Sequence, residues 1–187
     1  MTSLKAHDLI TPCRLIDQTD LPRVGFRGAH SAEYLSGRGF TLPDAPNQAS
    51  AQADGSWVAR LSHTEYLVLG SPQDHGQRVA DEEARWELDH RANYLLPRQD
   101  SHACVLLSGD VIAQVMAKLC GVDLSRSAFK PGTVAQTSVA RVNAIVIHTG
   151  SVELPAFHIL WDRASKDYFE GALRDALEEF GGVAQSV

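Results

Sequence analysis

Two segments of the sequence carry the same arrangement of glycines and apolar residues at a constant spacing. Gly28 and Gly109 are 81 positions apart, as are Ala32 and Ala113. In each segment a short apolar run leads to a glycine turn and then to a helix-like pattern of apolar residues. Each continues into strand-like sequence and ends in a second candidate helix. The spacing predicts an internal duplication, so the chain should fold as two similar halves.

The second segment has the clearer pattern. Residues 104–107 form a short apolar run that Ser108 and Gly109 end, and Gly121 ends the helix that follows. The apolar positions of that helix recur at helical spacing, at Val111, Ile112, Val115, Met116 and Leu119. The sequence therefore predicts a strand, a tight turn and a helix in direct succession.

The first half continues with a predicted hairpin over residues 57–69 and a helix over 72–86. Ser71 is expected to cap this helix, with Pro72 at its first position. Residues 43–56 are rich in Pro, Ala, Asn and Ser and are predicted to form a surface loop, with a partner contact as the alternative. Residues 94–96 are a possible strand that Pro97 ends.

The second half continues with predicted strands over 133–141 and 144–148, paired around Val142 and Asn143, and a third over 156–161. A final helix is predicted over 165–180, capped by Ser165. Strands and helices mixed in this way, with hairpin-length connections, predict an α+β fold of two small, helix-backed antiparallel sheets. The expected domains are an N-terminal arm (1–22), in which 13–16 could be a short strand, a first half (23–99) and a second half (100–187).

Composition excludes several classes of protein. The net charge of −6 argues against non-specific nucleic-acid binding, which needs clustered Lys and Arg. No apolar run approaches the roughly 18 residues of a membrane span, and the first residues lack the apolar core of a signal peptide. We expect a cytoplasmic protein without a membrane partner.

Chemistry-bearing motifs are sparse. The eight histidines form no HxxxH or HExxH pattern, so no metal site is predicted. The three cysteines form no CxxC pair and are predicted to be buried free thiols. There is no GxSxG, no P-loop and no GxGxxG after a strand. Asp100, Ser101 and His102 are not expected to form a triad, because adjacent residues of a strand point to opposite faces.

Several strings, in this order, resemble the gamma subunit of heterotetrameric sarcosine oxidase. They are Phe26-Arg27-Gly28, GFTLPDAPN (39–47), EYLVLG (65–70), Leu107-Ser108-Gly109, CGVDLSRSAFKPGTVAQTSVAR (120–141) and Arg163-Ala164-Ser165. The second half also resembles the opening part of the glycine-cleavage aminomethyltransferases, which carry D-x-S-H, V-x-L-x-G-x-x-A and PG-x-x-x-x-T in that order. Here the first motif corresponds to Asp100-Ser101-His102, which lacks the residue between Asp and Ser. The second corresponds to residues 105–113, and the third to Pro131-Gly132 with Thr137.

The resemblance implies a non-catalytic subunit with an aminomethyltransferase-like, folate-binding type of fold that has lost its ligand. The larger subunits, of alpha, beta and delta type, would carry FAD, FMN, NAD and tetrahydrofolate and oxidise sarcosine to glycine. This chain itself would bind no cofactor. We therefore expect no open polar cavity beside the last helix.

The alternative function is a stand-alone folate-binding or aminomethyltransferase-like protein. The resemblance then makes Asp167 the only candidate for the catalytic aspartate, which in the transferases follows an asparagine-rich segment at the end of a strand. The match there needs a gap, and the helix dipole alone would favour an aspartate at this position. No other catalytic residue is predicted.

Overall fold

The computed structural model describes residues 13–185. Within this range the chain forms eleven strands, five α-helices and two short 3-10 turns. The strands are β1 (Arg14–Asp17), β2 (Arg23–Arg27), β3 (Gln48–Ala51), β4 (Trp57–Arg60), β5 (Glu65–Leu69), β6 (Tyr94–Leu96), β7 (His102–Ser108), β8 (Val134–Val139), β9 (Val142–His148), β10 (Ala156–Asp162) and β11 (Val183–Gln185). The helices are α1 (Ser31–Gly37), α2 (Gln77–Arg85), α3 (Arg98–Ser101), α4 (Ile112–Ala117) and α5 (Lys166–Glu178).

The first half forms a five-stranded antiparallel sheet in the order β3-β4-β5-β2-β6. Successive side chains of a strand point to opposite faces, so Val24 and Phe26 of β2 share one face with Tyr66 and Val68 of β5. Leu35 of α1 packs on that face with them. This face of the first sheet is therefore buried beneath its helices.

The second half forms a six-stranded sheet in the order β11-β1-β7-β10-β9-β8. Its pairings are antiparallel except for β1 with β11, which is parallel. The apolar stripe of α5 packs on one face, where the ring of Phe169 stacks on that of Trp161 with centroids 4.1 Å apart. The strand predicted at residues 13–16 therefore exists and belongs to this sheet. The domain boundaries themselves stay a prediction.

The two halves follow the same path. In each, a first strand leads through a glycine turn to a helix, three antiparallel strands and a longer helix. Gly28 and Gly109 end the equivalent strands β2 and β7, and both have positive φ, +148° and +131°. A Cβ on Gly28 would lie 2.0 Å from the carbonyl oxygen of Ala92, so only glycine fits that turn. The predicted α+β fold of two similar helix-backed halves is confirmed.

The two sheets pack face to face through the sides that their helices leave open. The strands β3 and β8 join them at one corner, where Gln48 pairs with Thr133 and the Ala49 amide donates to the carbonyl of Gly132 over 2.7 Å. The prediction of a surface loop over 43–56 was therefore wrong for β3. That strand lacks an apolar pattern because the rest of the protein covers each of its two faces only in part.

The predictions of two helix caps and one turn have different outcomes. The Ser71 hydroxyl accepts a hydrogen bond from the Gln73 amide over 3.1 Å, which confirms the predicted cap, although the helix is interrupted at His75 and Gly76. Ser165 makes no capping bond to α5, because its hydroxyl donates to Asp162 instead. The β8–β9 turn lies at Ala140 and Arg141, both with positive φ, rather than at 142–143.

Candidate functional site

The space between the two sheets is filled by side chains. Both sheets contribute to one apolar cluster there, made of Ala59, Leu61, Leu67, Leu69, Cys104, Val134, Ile147 and Leu160. A cavity of about 10 Å³ beside Arg23, Cys104 and His158 has room for roughly one water molecule. This part of the interface therefore leaves no space for a cofactor.

Arg23 is the main polar group buried between the sheets. It is 1% exposed, and its guanidinium donates to five backbone carbonyls. Three of these, at Gln18, Thr19 and Leu21, belong to the connection from β1 to β2, and two, at Gln99 in α3 and His102 at the start of β7, belong to the stretch that leads from β6 to β7. Both segments where the chain crosses between the sheets therefore close around one side chain.

Sequence reasoning did not identify Arg23. The signal was available, since Val24 and Phe26 form the helix-facing side of β2 and strand alternation places Arg23 on the opposite side. That side becomes buried only when the second sheet packs on it. Burial of a charged group is costly, and the five carbonyl dipoles offset this cost.

Ionisable groups around Arg23 are held neutral. Burial lowers the pKa of His158 to about 4, and the positive charge of Arg23 adds to the effect. Burial raises the pKa of the Cys104 thiol to about 12. Cys104 is thus a structural thiol, and the prediction that all three cysteines are buried and free is confirmed.

Ser101 and His102 do interact, contrary to the reason given for excluding a triad. Ser101 ends the short helix α3 rather than lying in a strand, and its hydroxyl oxygen is 2.7 Å from Nδ1 of His102. Asp100 does not complete the arrangement: within residues 13–185 no hydrogen bond or ion pair joins it to His102, and the carboxylate whose charge acts on His102 is that of Asp162. Burial, together with the charges of Arg98 and Arg23, lowers the pKa of His102 to about 4.

The tautomer of His102 argues against a nucleophilic Ser101. Nη1 of Arg98 lies 3.5 Å from Nε2 of His102, and a guanidinium can only donate. In the tautomer that accepts this contact, Nε2 carries the lone pair and Nδ1 the hydrogen, and the Ser101 hydroxyl accepts from the imidazole, so its own proton is not withdrawn. The exclusion of a triad therefore holds for a different physical reason.

Asp167 lies in the first turn of α5, where its side chain is exposed. It makes no hydrogen bond or ion pair with another residue of the range 13–185, and it does not line either of the two larger clefts described below. A catalytic role for Asp167 stays an untested prediction.

An open cleft of about 580 Å³ lies beside α5, which contradicts the expectation of no polar cavity there. Its walls include Asp17, Asp20, His75, Glu170 and Arg174. The expectation failed because β1, which is not part of the duplicated pattern, ends next to α5. The carboxylate of its last residue, Asp17, faces that helix.

The charges of this cleft largely pair with one another. Nζ of Lys166 is 2.6 Å from Asp17 and 3.5 Å from Glu170, which in turn is 3.9 Å from Arg174. Partial burial raises the pKa of Asp17, but hydrogen bonds from Lys166 and Thr19 outweigh this and lower it overall. The cleft is polar, but its strongest charges already have partners.

A second, more open cleft of about 410 Å³ lies where the second sheet is left uncovered at one end. Its floor is made of side chains from β7, β8, β9 and β10, among them His102, Gln136, Asn143 and Leu160. Hydroxyl and amide groups dominate it. No group of three or more potential metal-binding side chains occurs in the described part of the chain.

None of the described helices is long and apolar enough to span a membrane. No protein-family model matches the sequence, and no curated protein is significantly similar to it. The fold is therefore identified by similarity to solved structures.

Two solved structures are similar over nearly the whole chain. One is heterotetrameric sarcosine oxidase from Corynebacterium sp. U-96 in complex with pyrrole 2-carboxylate, with a TM-score of 0.71 and 20% identity, covering 91% of this chain and 86% of that chain. The other is the glycine cleavage system aminomethyltransferase T from Bartonella henselae, with a TM-score of 0.64, 14% identity and 95% coverage of this chain. This chain spans 48%, or about half, of that protein. The chain therefore has the α+β fold that a chain of heterotetrameric sarcosine oxidase shares with the aminomethyltransferase.

Proposed function

We propose that this protein is a non-catalytic, gamma-type subunit of a flavoenzyme complex of the heterotetrameric sarcosine oxidase type. In this role it stabilises larger subunits that oxidise sarcosine to glycine and pass the one-carbon unit to tetrahydrofolate. The larger subunits carry FAD, FMN, NAD and folate, and this chain binds none of them. A cytoplasmic location goes with this role.

The main support is the mutual coverage with a chain of the sarcosine oxidase. The match spans 91% of this chain and 86% of the other, so the two chains are of similar length. The aminomethyltransferase, in contrast, is about twice as long as the part that matches. Similarity over most of both chains supports the role of a corresponding subunit in such a complex.

The interior of the protein also supports a non-catalytic role. Apolar side chains and Arg23 fill the space between the sheets. Burial holds His158 and Cys104 neutral, and the hydroxyl of Ser101 is not activated by His102. The buried polar groups between the sheets thus stabilise the fold, and within residues 13–185 neither His158 nor Cys104 is poised to transfer a proton to a substrate.

Affinity purification tests the proposal. The full chain, tagged at one end, is purified from its native lysate at low salt, and the eluate is examined for flavin absorbance and for sarcosine-dependent peroxide production. We expect both to co-elute with the chain in a fixed ratio. Recovery of the chain alone, without a flavoprotein, would refute the subunit assignment.

The open cleft beside α5 favours a second candidate, a stand-alone folate-binding protein. A cavity of about 580 Å³ lies within the range of small-molecule sites. Calorimetric titration of the purified chain with tetrahydrofolate separates the two functions, because the subunit role predicts no binding heat. Micromolar binding that Arg174→Gln, in the wall of this cleft, abolishes and Asp167→Asn, which lies outside it, leaves in place would favour the second candidate.

A further inference from the structure

The two sheets differ at one edge. Beside β7, β1 takes the place that β6 takes beside β2, and both pairings are antiparallel. Outside β1 lies a further strand, β11, which pairs with it in parallel. Outside β6 no strand follows among residues 13–185. The position that β11 occupies in the second sheet is therefore open in the first.

Among the described residues, the outer edge of β6 also has no strand of the other sheet beside it, unlike the edge at β3. The opposite edges of the two sheets, β3 and β8, meet each other through the pairing of Gln48 with Thr133. An open edge presents unpaired backbone donors and acceptors to any extended chain. Within the described residues, β6 and the outer side of β11 are the edges without a neighbouring strand.

The residues of β6 themselves carry little that protects an edge, although Pro97 follows the strand directly. Its residues are Tyr94, Leu95 and Leu96, with no charge and no proline among them. Tyr94 is 53% exposed, and Leu88, in the segment before it, is 65% exposed. The strand is short, but the pairing of β1 with β11 also involves only three residues of each strand. A three-residue edge therefore suffices for pairing in this fold.

Positive charge lies beside the exposed tyrosine. Arg27 is the residue opposite Tyr94 in the neighbouring strand, and its side chain is 66% exposed, 3.7 Å from Glu65. Arg98 makes a much shorter contact to the same carboxylate. Two guanidinium groups thus share one carboxylate, which leaves an excess positive charge next to the edge.

We propose that an extended segment of a larger subunit pairs with β6 and completes the first sheet, as β11 completes the second. Main-chain hydrogen bonds to the edge provide the affinity. An apolar side chain of the segment covers Tyr94, and a carboxylate next to it pairs with Arg27. This proposal rests on the subunit role and names the surface that performs it.

Hydrogen–deuterium exchange tests the pairing directly. The free chain is compared with the flavin-containing assembly purified from the native lysate. We expect the outward-facing amides among residues 94–96 to exchange at least tenfold more slowly in the assembly. Unchanged exchange there, in an assembly that does contain flavin, would overturn the edge pairing and leave the subunit role standing.

A charge placed on the edge provides the second test. Tyr94→Lys adds a like charge beside Arg27 and should lower the amount of flavoprotein recovered at least tenfold, while its urea midpoint stays close to that of the wild type. Leu154→Lys is the matched control, since Leu154 is 60% exposed on the β9–β10 turn, and it should assemble normally. Normal assembly of Tyr94→Lys would contradict the proposal.

Two other outcomes are informative. If the chain recovers no flavoprotein, both the subunit role and the edge pairing fail. If it forms a homodimer whose residues 94–96 are protected, a second copy of the chain occupies the edge, and the assignment to a larger subunit is wrong.

Discussion

Replacing Arg23 tests whether this side chain holds the two halves together. Arg23→Met keeps most of the volume and the aliphatic stem but removes every donor. Four of the five carbonyls that it contacts, at Gln18, Thr19, Leu21 and His102, have short hydrogen bonds to it. A buried acceptor that loses its donor costs about 1 kcal/mol or more, whereas the Gln18 carbonyl keeps a second donor, the Leu21 amide at 3.0 Å. We therefore expect the free energy of unfolding to fall by about 3–4 kcal/mol.

Two further variants calibrate that value. Arg23→Lys keeps the charge and up to three donors, so it should lose about 2 kcal/mol, roughly half as much. Arg60 also donates to backbone carbonyls, at Asp44 over 2.8 Å and His63 over 3.0 Å, but these bonds are exposed to water. Arg60→Met should therefore change the stability by less than about 1 kcal/mol.

Urea unfolding followed by tryptophan fluorescence provides the measurement, since Trp161 is fully buried and reports on the second half. A loss of less than about 1 kcal/mol for Arg23→Met would show that water or local rearrangement satisfies the carbonyls. The guanidinium would then not be what closes the connections between the sheets.

Three further predictions concern stability and reactivity. The pKa of His158 is about 4 in the folded state and 6.5 in the reference state, so between these pH values the unfolded chain binds a proton that the folded chain does not. The contribution of His158 to stability should be full above pH 6.5 and fall by about 3 kcal/mol towards pH 4, and His102, whose pKa is also about 4, adds a loss of its own. Urea titrations of His158→Gln should therefore show a clearly smaller fall than those of the wild type. Gly28→Ala should destabilise the protein severely, because its Cβ would strike the Ala92 carbonyl. Gly171→Ala in α5, with open space around it, should instead raise the free energy of unfolding by about 0.5–1 kcal/mol. Equal effects of the two substitutions would contradict the turn geometry. Thiol titration should find no fast-reacting cysteine in the native protein and three in urea; a fast native thiol would mean that one of them is accessible.

Local patterns in the sequence predicted much of the fold. The glycine spacing indicated the duplication, because a turn that only glycine can adopt recurs at Gly28 and Gly109. The apolar stripe of α5, the alternation in β4 and the continuous apolar run of β5 were also recognisable, since each is a pattern within a single element. The burial of the cysteines followed from the apolar segments that surround them.

Long-range pairing decided the rest. β1 and β3 have weak patterns of their own and form strands because distant segments offer them a partner. The same pairing places the end of β1 beside α5 and creates the polar cleft that was not expected. Short segments of this kind are stabilised by contacts that no local window of sequence contains.

The sequence by itself determined that the chain forms two similar helix-backed sheets, because hydrophobic period and turn chemistry are local properties. Only the tertiary structure decided that Arg23 is buried between them, since its environment consists of carbonyls from two segments that are far apart in the chain. It also decided that, among residues 13–185, β6 has no outer neighbour while β1 does. Both are relations between segments, and they exist only once the sheets have assembled.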